Sequence, residues 1–415
     1  MGATPEPGIL RSRSTAARAG TSRVNGLDDP SAPMSSPPVD PSLPSASVEG
    51  TPSDARGRLA LQAMTPEALA RALRCEIGEA RKIVSAVHRD KPLAPMPGVR
   101  RATLEAVRAQ GTVREVRVVA EQASRVDPFV KYVIETTGSP GAVAEREAKA
   151  QLVETVRIPL EKQGRFSVCV SSQVGCALAC AFCATGRLGL IRNLETWEIV
   201  EQVRVVRRGL ERAKLGRVHG VVFQGMGEPM ANLDRVLEAI AVFSDPSALA
   251  IDARAMTVCT SGNPNGILRL AREAPRVRLG VSIASARVEV RRSLMPIDRA
   301  HPLEEVLAAA AEHARITGLA PMWAVTPLAG VNDSIEDGHA LADRVRAFAE
   351  ETGVRPRVSV IPYNSIGEND PFARSSDEAL DRFREAMASR GLFTHRRYSG
   401  GADVSAACGQ LAARA

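Results

Sequence analysis

Aromatic side chains are scarce in this chain of 415 residues, at 3% of the sequence. Few flat rings are available for stacking on bases, so nucleic-acid binding would have to lean on charge. No apolar run is long enough to cross a bilayer, and no apolar leader core stands near the N-terminus. Gly2 follows Met1, but Glu6 stands where a myristoylation signal wants Ser or Thr. These absences point to a cytoplasmic protein without membrane attachment. One further absence is local. Cys176, Cys180 and Cys183 crowd into "GCALACAFCATG", and no fourth cysteine or histidine lies beside them. A structural zinc site wants four protein ligands.

What is present is ordinary apolar content, 44%, and a net charge of +7 carried mostly by arginine. Arginine forks onto phosphate, so the charge is compatible with RNA or DNA. It is equally compatible with a bland basic surface. Seven cysteines are an odd number, and clustered cysteines in a reducing compartment mean metal or catalysis rather than structural disulfides.

Residues 1–56 are rich in Pro, Ser, Ala and Gly and read as a disordered tail. Order begins near residue 57. "MTPEALARAL" reads as a helix with Thr65 as N-cap, Pro66 at its first position, and an apolar stripe of Leu69, Ala72 and Leu73. "EIGEARKIVSAVHRD" reads as a second helix, giving a small helical accessory domain over 57–125. Over 126–164, "FVKYVIET" and "LVETVRIP" read as strands of a hairpin-like extension, joined by a Gly- and Ala-rich insert.

From 165 to 398 the chain alternates strand and helix six times, from "SVCVSS" to "RVSVIPY", with "LFTHRRYS" as a closing strand. Repeated βα units mean an α/β fold with a parallel sheet. Six units are short of the eight of a full barrel, so a partial barrel is expected, with its active site where strands end.

The strand ends carry the chemistry. After the first come the three cysteines. Zinc is the rival reading, with His219 a weak fourth ligand. In a [4Fe–4S] cluster each of four irons wants a ligand, and three thiolates leave one iron open to a small molecule. After the second strand, "GMGEP" offers Gly225 and Gly227 for close backbone approach and Glu228 for a ligand ammonium. "TSGNP", Ser282 and the Asn364 of "PYN" end three others. Cys169 lies inside a strand, and Cys408 sits near the C-terminus beside Gly409.

"CVSSQVGCALACAFCATG", "IRNL", "FQGMGEP", "TSGNP", "SLMPIDR", "GVNDS", "VIPYN" and "AACGQL" together resemble the RlmN/Cfr family of radical S-adenosylmethionine (SAM) methyltransferases, over about residues 60–412. These enzymes methylate an adenine carbon, C2 or C8, in ribosomal or transfer RNA. The resemblance implies a radical SAM partial barrel and one [4Fe–4S] cluster on Cys176, Cys180 and Cys183. It implies SAM contacts at Gly227, Glu228, Ser282, Ile283 and Asn364, and at Cys259, where the family has serine. Cys408, in the C-terminal segment 399–415, is implied to be the methyl carrier, Cys169 its resolving partner and Glu154 the general base. An adenine carbon is too poor a nucleophile to take the SAM methyl directly. The family route therefore uses two SAM molecules: one methylates the Cys408 thiolate, and the second supplies a radical that activates the methyl group. Cys169 then releases the product by forming a disulfide with Cys408. The two should lie within disulfide reach, about 4.4–6.8 Å between Cα atoms. An electron donor such as flavodoxin or ferredoxin is implied, and the expected state is a monomer.

The sequence departs from the family pattern at Cys259, at Ala284 in place of a histidine, within "MWAVTPL", and at Gly400 in place of an arginine. Two other readings compete: a radical SAM enzyme turned to a peptide or small molecule, and a non-catalytic RNA-binding relic. The retained pair Cys169 and Cys408 argues against the first. The intact cysteine triad and "GMGEP" argue against the second.

Overall fold

The computed structural model describes residues 57–136, 151–367 and 369–412. The expected tail over 1–56 and the Gly- and Ala-rich insert lie outside the described residues. Short strand β1 (Leu59–Ala60) leads into helices α1 (Pro66–Leu73), α2 (Ile77–His88) and α3 (Arg101–Gln110), and β2 (Gly111–Thr112) returns to pair with β1. Thr65 caps α1 as its spacing predicts, its hydroxyl accepting from Ala68 N–H at 3.2 Å. Leu61, Met64, Leu69, Ile83, Val87 and Val107 form a separate small core for this unit.

The next strand differs from expectation. β3 (Arg117–Ala123) falls within the span read as helical, yet it forms the edge of the main sheet. Its residues are exposed or half-buried with no strong alternation, and its pairing with β4 (Val130–Thr136) defines it. β4, β5 (Gln151–Pro159) and β6 (Arg165–Val170) continue antiparallel. The extension is thus continuous with the barrel sheet.

A small hairpin, β7 (Gln173–Cys176) with β8 (Gly189–Asn193), brackets the cysteine loop. It escapes pattern reading because a bulge at Val174/Gly175 breaks its alternation, and Gly175 adopts φ +77°, where a Cβ would strike Gly189 backbone. Then follow α4 (Thr196–Ala213), β9 (Arg217–Phe223), α5 (Leu233–Ser244), β10 (Met256–Thr260), α6 (Pro264–Glu273) and β11 (Arg278–Ser282). The chain continues through α7 (Val288–Leu294), α8 (Leu303–Thr317), β12 (Met322–Val325), α9 (Ile335–Thr352), β13 (Arg357–Val360), α10 (Asp377–Ser389) and β14 (His395–Arg396). Strands β6, β9, β10, β11, β12, β13 and β14 run parallel in that order, giving six βα units and the closing strand.

Apolar residues of both sheet faces are buried, as a parallel sheet covered by helices requires. Along β12 the faces divide. Trp323 turns outward and packs edge-on against Phe348 of α9 with centroids 5.3 Å apart, while Ala324 faces the interior cavity. Among the described residues no helix is long and apolar enough to cross a membrane.

The accessory unit is docked on α4 by ions. Arg204 donates to Val87 O at 3.1 Å and pairs with Asp90, while the fully buried Glu201 binds Arg204 at 3.1 Å and Arg208 at 2.9 Å. His88, at this junction, is fully buried. Burial, reinforced by Arg204 and Arg207, pushes its pKa down to about 3. The unfolded chain therefore takes up a proton near pH 6.5 that the folded chain refuses until far lower pH, so acid removes stability. Between pH 7.5 and 5 the loss from this one group is about 2 kcal/mol. Comparing parent and His88→Leu by urea unfolding at both pH values should isolate it; an identical pH slope in the two would contradict the assignment.

Candidate active site

The bulged hairpin delivers the loop Cys176–Thr185 over the carboxyl ends of the strands, where α/β barrels place their sites. Cys176, Cys180 and Cys183 line one cavity of about 150 Å³ together with Cys408. Its walls come from successive strand ends: Gln224, Gly225, Gly227 and Glu228 after β9, Cys259 to Ser261 at β10, Ser282 and Ala284 at β11, Ala324 and Thr326 at β12, Ile361 and Tyr363 at β13. The loop is held from outside by a bond of 2.9 Å from Ala181 N–H to Leu294 O.

The donor set suits a cluster. Among the described residues no three of His, Cys, Asp and Glu converge as ligands of a single metal ion would. Three thiols spread around one cavity fit a group in which each thiolate holds a different iron. Burial pushes the Cys176 thiol up to about 12 and Cys180 higher still. Such thiols stay protonated until cationic metal compensates their charge.

The SAM-side residues divide into two sets. Gly227, Glu228, Cys259 and Ser282 line the cavity. Gly227 sits at φ +96°, where a Cβ would lie 2.5 Å from Gln173, so the close approach needs glycine. Glu228 is buried, and burial raises its pKa. Its two oxygens accept from Met230 N–H at 3.0 Å and Ser261 N–H at 2.9 Å, tying two strand-end loops together. Ile283 and Asn364 are not on the wall. Ile283 packs in the main core, and its backbone N–H bonds Ala324 O at 2.9 Å. Asn364 lies behind the wall and donates to Ser399 Oγ at 2.9 Å and to Cys408 O at 3.3 Å.

Cys408 belongs to a strap that crosses the cavity mouth. Ala184 N–H donates to Gly409 O at 2.8 Å, and Thr185 Oγ1 to Leu411 O at 2.6 Å. Gln410 holds Ser365 O at 2.9 Å, and Asp127 accepts from Gly401 N–H at 2.8 Å. Behind Cys408 a second, smaller cavity of about 60 Å³ is lined by Cys408, Cys169, Val156 and Arg397. Cys169 thus shares this second cavity with Cys408, and its thiol is pushed strongly up, first by burial and then by Cys408. All seven cysteines are free thiols.

Glu154 stands apart. It is buried in an ion pair with Lys131 at 2.9 Å, and its other oxygen accepts from Ala412 N–H of the strap at 2.8 Å. It lines a separate cavity with Ser365, Asp403 and Gln410, not the one lined by the cysteines.

Sequence reasoning missed the residues that hold these loops. Arg291 is fully buried; it donates to Ser261 O at 2.8 Å and to Ser282 O and Ile283 O at 2.7 Å each, so it clamps two strand ends. Asp298, in the quoted "SLMPIDR", neutralises it at 2.9 Å with both partners fully buried. Asn332, in "GVNDS", donates to Ala284 O at 2.7 Å and holds that residue at φ +56°. The motifs gave a signal for Asp298 and Asn332, but not the role. Asp298→Ala leaves a buried cation unpaired and should cost about 3–5 kcal/mol, read as a fall in Tm. The double change Arg291→Met with Asp298→Leu should recover part of that loss; a Tm for Asp298→Ala equal to the parent's would contradict the clamp.

With this geometry in place, the chain was compared with known proteins. A family model described as the radical SAM superfamily matches residues 170–337. A probable RNA methyltransferase of Sorangium cellulosum is 55% identical over 370 residues, which is 84% of this chain and 91% of that relative. The dual-specificity RNA methyltransferase RlmN of Syntrophobacter fumaroxidans is 41% identical over 265 residues, 63% of this chain and 73% of that protein. The crystal structure of a radical SAM methyltransferase from Sphaerobacter thermophilus matches with TM-score 0.74 and 32% identity, over 86% of this chain and 99% of that one. Identity of this order over nearly the whole of a relative places the chain: it belongs to the radical SAM RNA methyltransferases of the RlmN type.

Proposed function

We propose that this chain methylates an adenine carbon, C2 or C8, of ribosomal RNA, transfer RNA or both, through an S-methylcysteine on Cys408. The observation that supports this reading is the strap. Two hydrogen bonds tie the residues that follow Cys183 to those that follow Cys408, so the far cysteine and the cysteine triad share one cavity.

In this reading Cys176, Cys180 and Cys183 hold a [4Fe–4S] cluster. When bound, the cluster with SAM supplies a hydrogen-abstracting carbon radical. Gly227, Glu228, Cys259 and Ser282 shape the space for SAM, with Ile283 acting through its backbone. Asn364 acts through its grip on the strap. The Cys408 thiolate takes a methyl group from one SAM as substrate, forming the C–S bond as the sulfonium C–S bond breaks. Once the methyl-derived carbon on Cys408 is joined to the adenine, Cys169 attacks the Cys408 sulfur: the S–S bond forms as the Cys408 sulfur–carbon bond breaks, and the released carbon takes up a proton. For Glu154 to remove a proton from the adenine, the base has to reach the separate cavity that Glu154 lines with Gln410 and Ala412 of the strap. The electron comes from a donor such as flavodoxin or ferredoxin, and the chain works as a monomer.

The target base must leave its stack to reach an enclosed cavity, and a preformed RNA loop lowers that cost. Arg81, Lys82, Arg89 and Lys91 gather round a groove of about 620 Å³ beside α2. That groove offers the charge that a phosphate backbone wants.

The test is turnover on RNA. The anaerobically reconstituted chain is given SAM, a reductant and ribosomal or transfer RNA, and the digest is read by mass spectrometry. Methyladenosine is expected from the parent and none from Cys408→Ala. Cys169→Ala should instead accumulate a covalent protein–RNA adduct. Methylated RNA from Cys408→Ala would overturn the carrier assignment, and free turnover by Cys169→Ala would overturn the resolving role.

A further inference from the structure

Tyr398 follows β14 and is 67% exposed, whereas the other two tyrosines of the chain, Tyr132 and Tyr363, are buried. Exposure has not left the ring loose. Its hydroxyl donates to Asp127 Oδ2 at 2.8 Å, and it packs edge-on against Phe129 with centroids 6.1 Å apart. Asp127 is fixed in turn, accepting from Gly401 N–H at 2.8 Å and from Phe129 N–H at 3.1 Å. The turn that carries it, between β3 and β4, is closed by a bond of 3.0 Å from Ser124 N–H to Phe129 O. The departure at Gly400 belongs to this arrangement. A Cβ there would overlap the Phe129 ring, so an arginine at 400 would displace the support on which Tyr398 rests.

The ring borders the chemistry. Tyr398 lines the small cavity that Cys408 shares with Cys169. Arg125, on the same turn as Asp127, is exposed and lines the cavity of Glu154 and Lys131. Between Arg125 and Asp127, Val126 is 73% exposed. A fixed ring, an aliphatic side chain and a guanidinium thus gather around Asp127 at the rim of both cavities. The two anions here are already engaged: Asp127 as described, and Asp403 by the Arg125 backbone N–H at 2.9 Å. Extruding a target base leaves its neighbour in the strand with one bare face. An aromatic ring already held in place supplies the missing stack at little entropic cost, and a guanidinium beside it suits the adjoining phosphate.

We propose that Tyr398 is a stacking platform for the nucleobase that adjoins the extruded target, with Val126 extending the platform and Arg125 taking the phosphate. The inference rests on the reading of RNA as the substrate. It adds where the strand is held beside the carrier, and it gives the glycine at 400 a purpose.

The test uses the full chain, with total transfer RNA and ribosomal RNA as probes. Hydroxyl-radical footprinting read by peptide mass spectrometry needs no variant. Whichever RNA the chain binds should protect Tyr398 and Val126 relative to Phe393, which is exposed just before β14, at the opposite end of that strand. Tyr398→Ala should weaken binding about tenfold, as the loss of one base–aromatic stack does, and leave its salt dependence unchanged. Tyr398→Phe gives up the bond to Asp127 but keeps the ring, so it should retain most of the affinity; Tyr398→Leu should not. Arg125→Ala should reduce the slope of log affinity against log salt by about 1. An unprotected Tyr398 in a chain that binds RNA overturns the proposal, and so does parental affinity in Tyr398→Ala. An unchanged salt slope in Arg125→Ala overturns the phosphate contact. A parent that binds neither RNA would instead sink the functional reading, and the platform with it.

Discussion

Two short hydrogen bonds join the cysteine loop to the strap, Ala184 N–H to Gly409 O at 2.8 Å and Thr185 Oγ1 to Leu411 O at 2.6 Å. Residues more than two hundred positions apart become one wall by this contact. Three of the four groups are backbone and the fourth is the Thr185 hydroxyl, so the contact depends on loop shape and on a hydroxyl at position 185. Gly409 meets the need with φ +87°, and a Cβ there would sit 3.3 Å from Phe182 O. Without the strap, the cavity keeps Cys176, Cys180, Cys183 and Cys259 but loses Cys408, the proposed carrier.

A second constraint is charge in an enclosed space. Burial raises the triad thiols Cys176 and Cys180, the paired thiol Cys169 and the Glu228 carboxyl. In each of these burial disfavours the charged form unless a partner compensates it. The cations the chain itself supplies are used sparingly. Arg291 is spent on Asp298 and three carbonyls, where it fixes the ends of β10 and β11. Lys131 is spent on Glu154. Arg397 instead donates to Gln224 Oε1 at 3.0 Å and lines the small cavity with Cys169 and Cys408. The same physics explains why the cysteine-lined cavity tolerates Cys259 where the family has serine. A buried thiol packs as a small apolar group and demands no hydrogen bond.

The sequence is legible where its signals are local. Helical spacing and apolar runs locate the six βα units, because a parallel sheet buries both faces of each strand. The Cys-x₃-Cys-x₂-Cys spacing is local as well. Features that depend on distant partners are not legible. β3 carries charged, exposed residues and becomes a strand by pairing with β4. The β7–β8 hairpin is bulged, so alternation fails. Arg291 looks like any surface arginine until Asp298 and the carbonyls of Ser261, Ser282 and Ile283 enclose it. Asn364 is legible as a strand-end residue, and Glu154 only through the resemblance. The structure shows the first gripping Cys408 O and the second gripping Ala412 N–H, contacts that no spacing rule encodes.

The central claim is that the strap sets Cys408 between the cysteine-lined cavity and Cys169. A short bifunctional thiol reagent applied to the full chain, followed by peptide mapping, tests it most directly. The account predicts a Cys169–Cys408 link within one chain as the main product involving Cys408. A Cys408 that links to Cys75 or to a second copy, with no Cys169–Cys408 peptide, would contradict it.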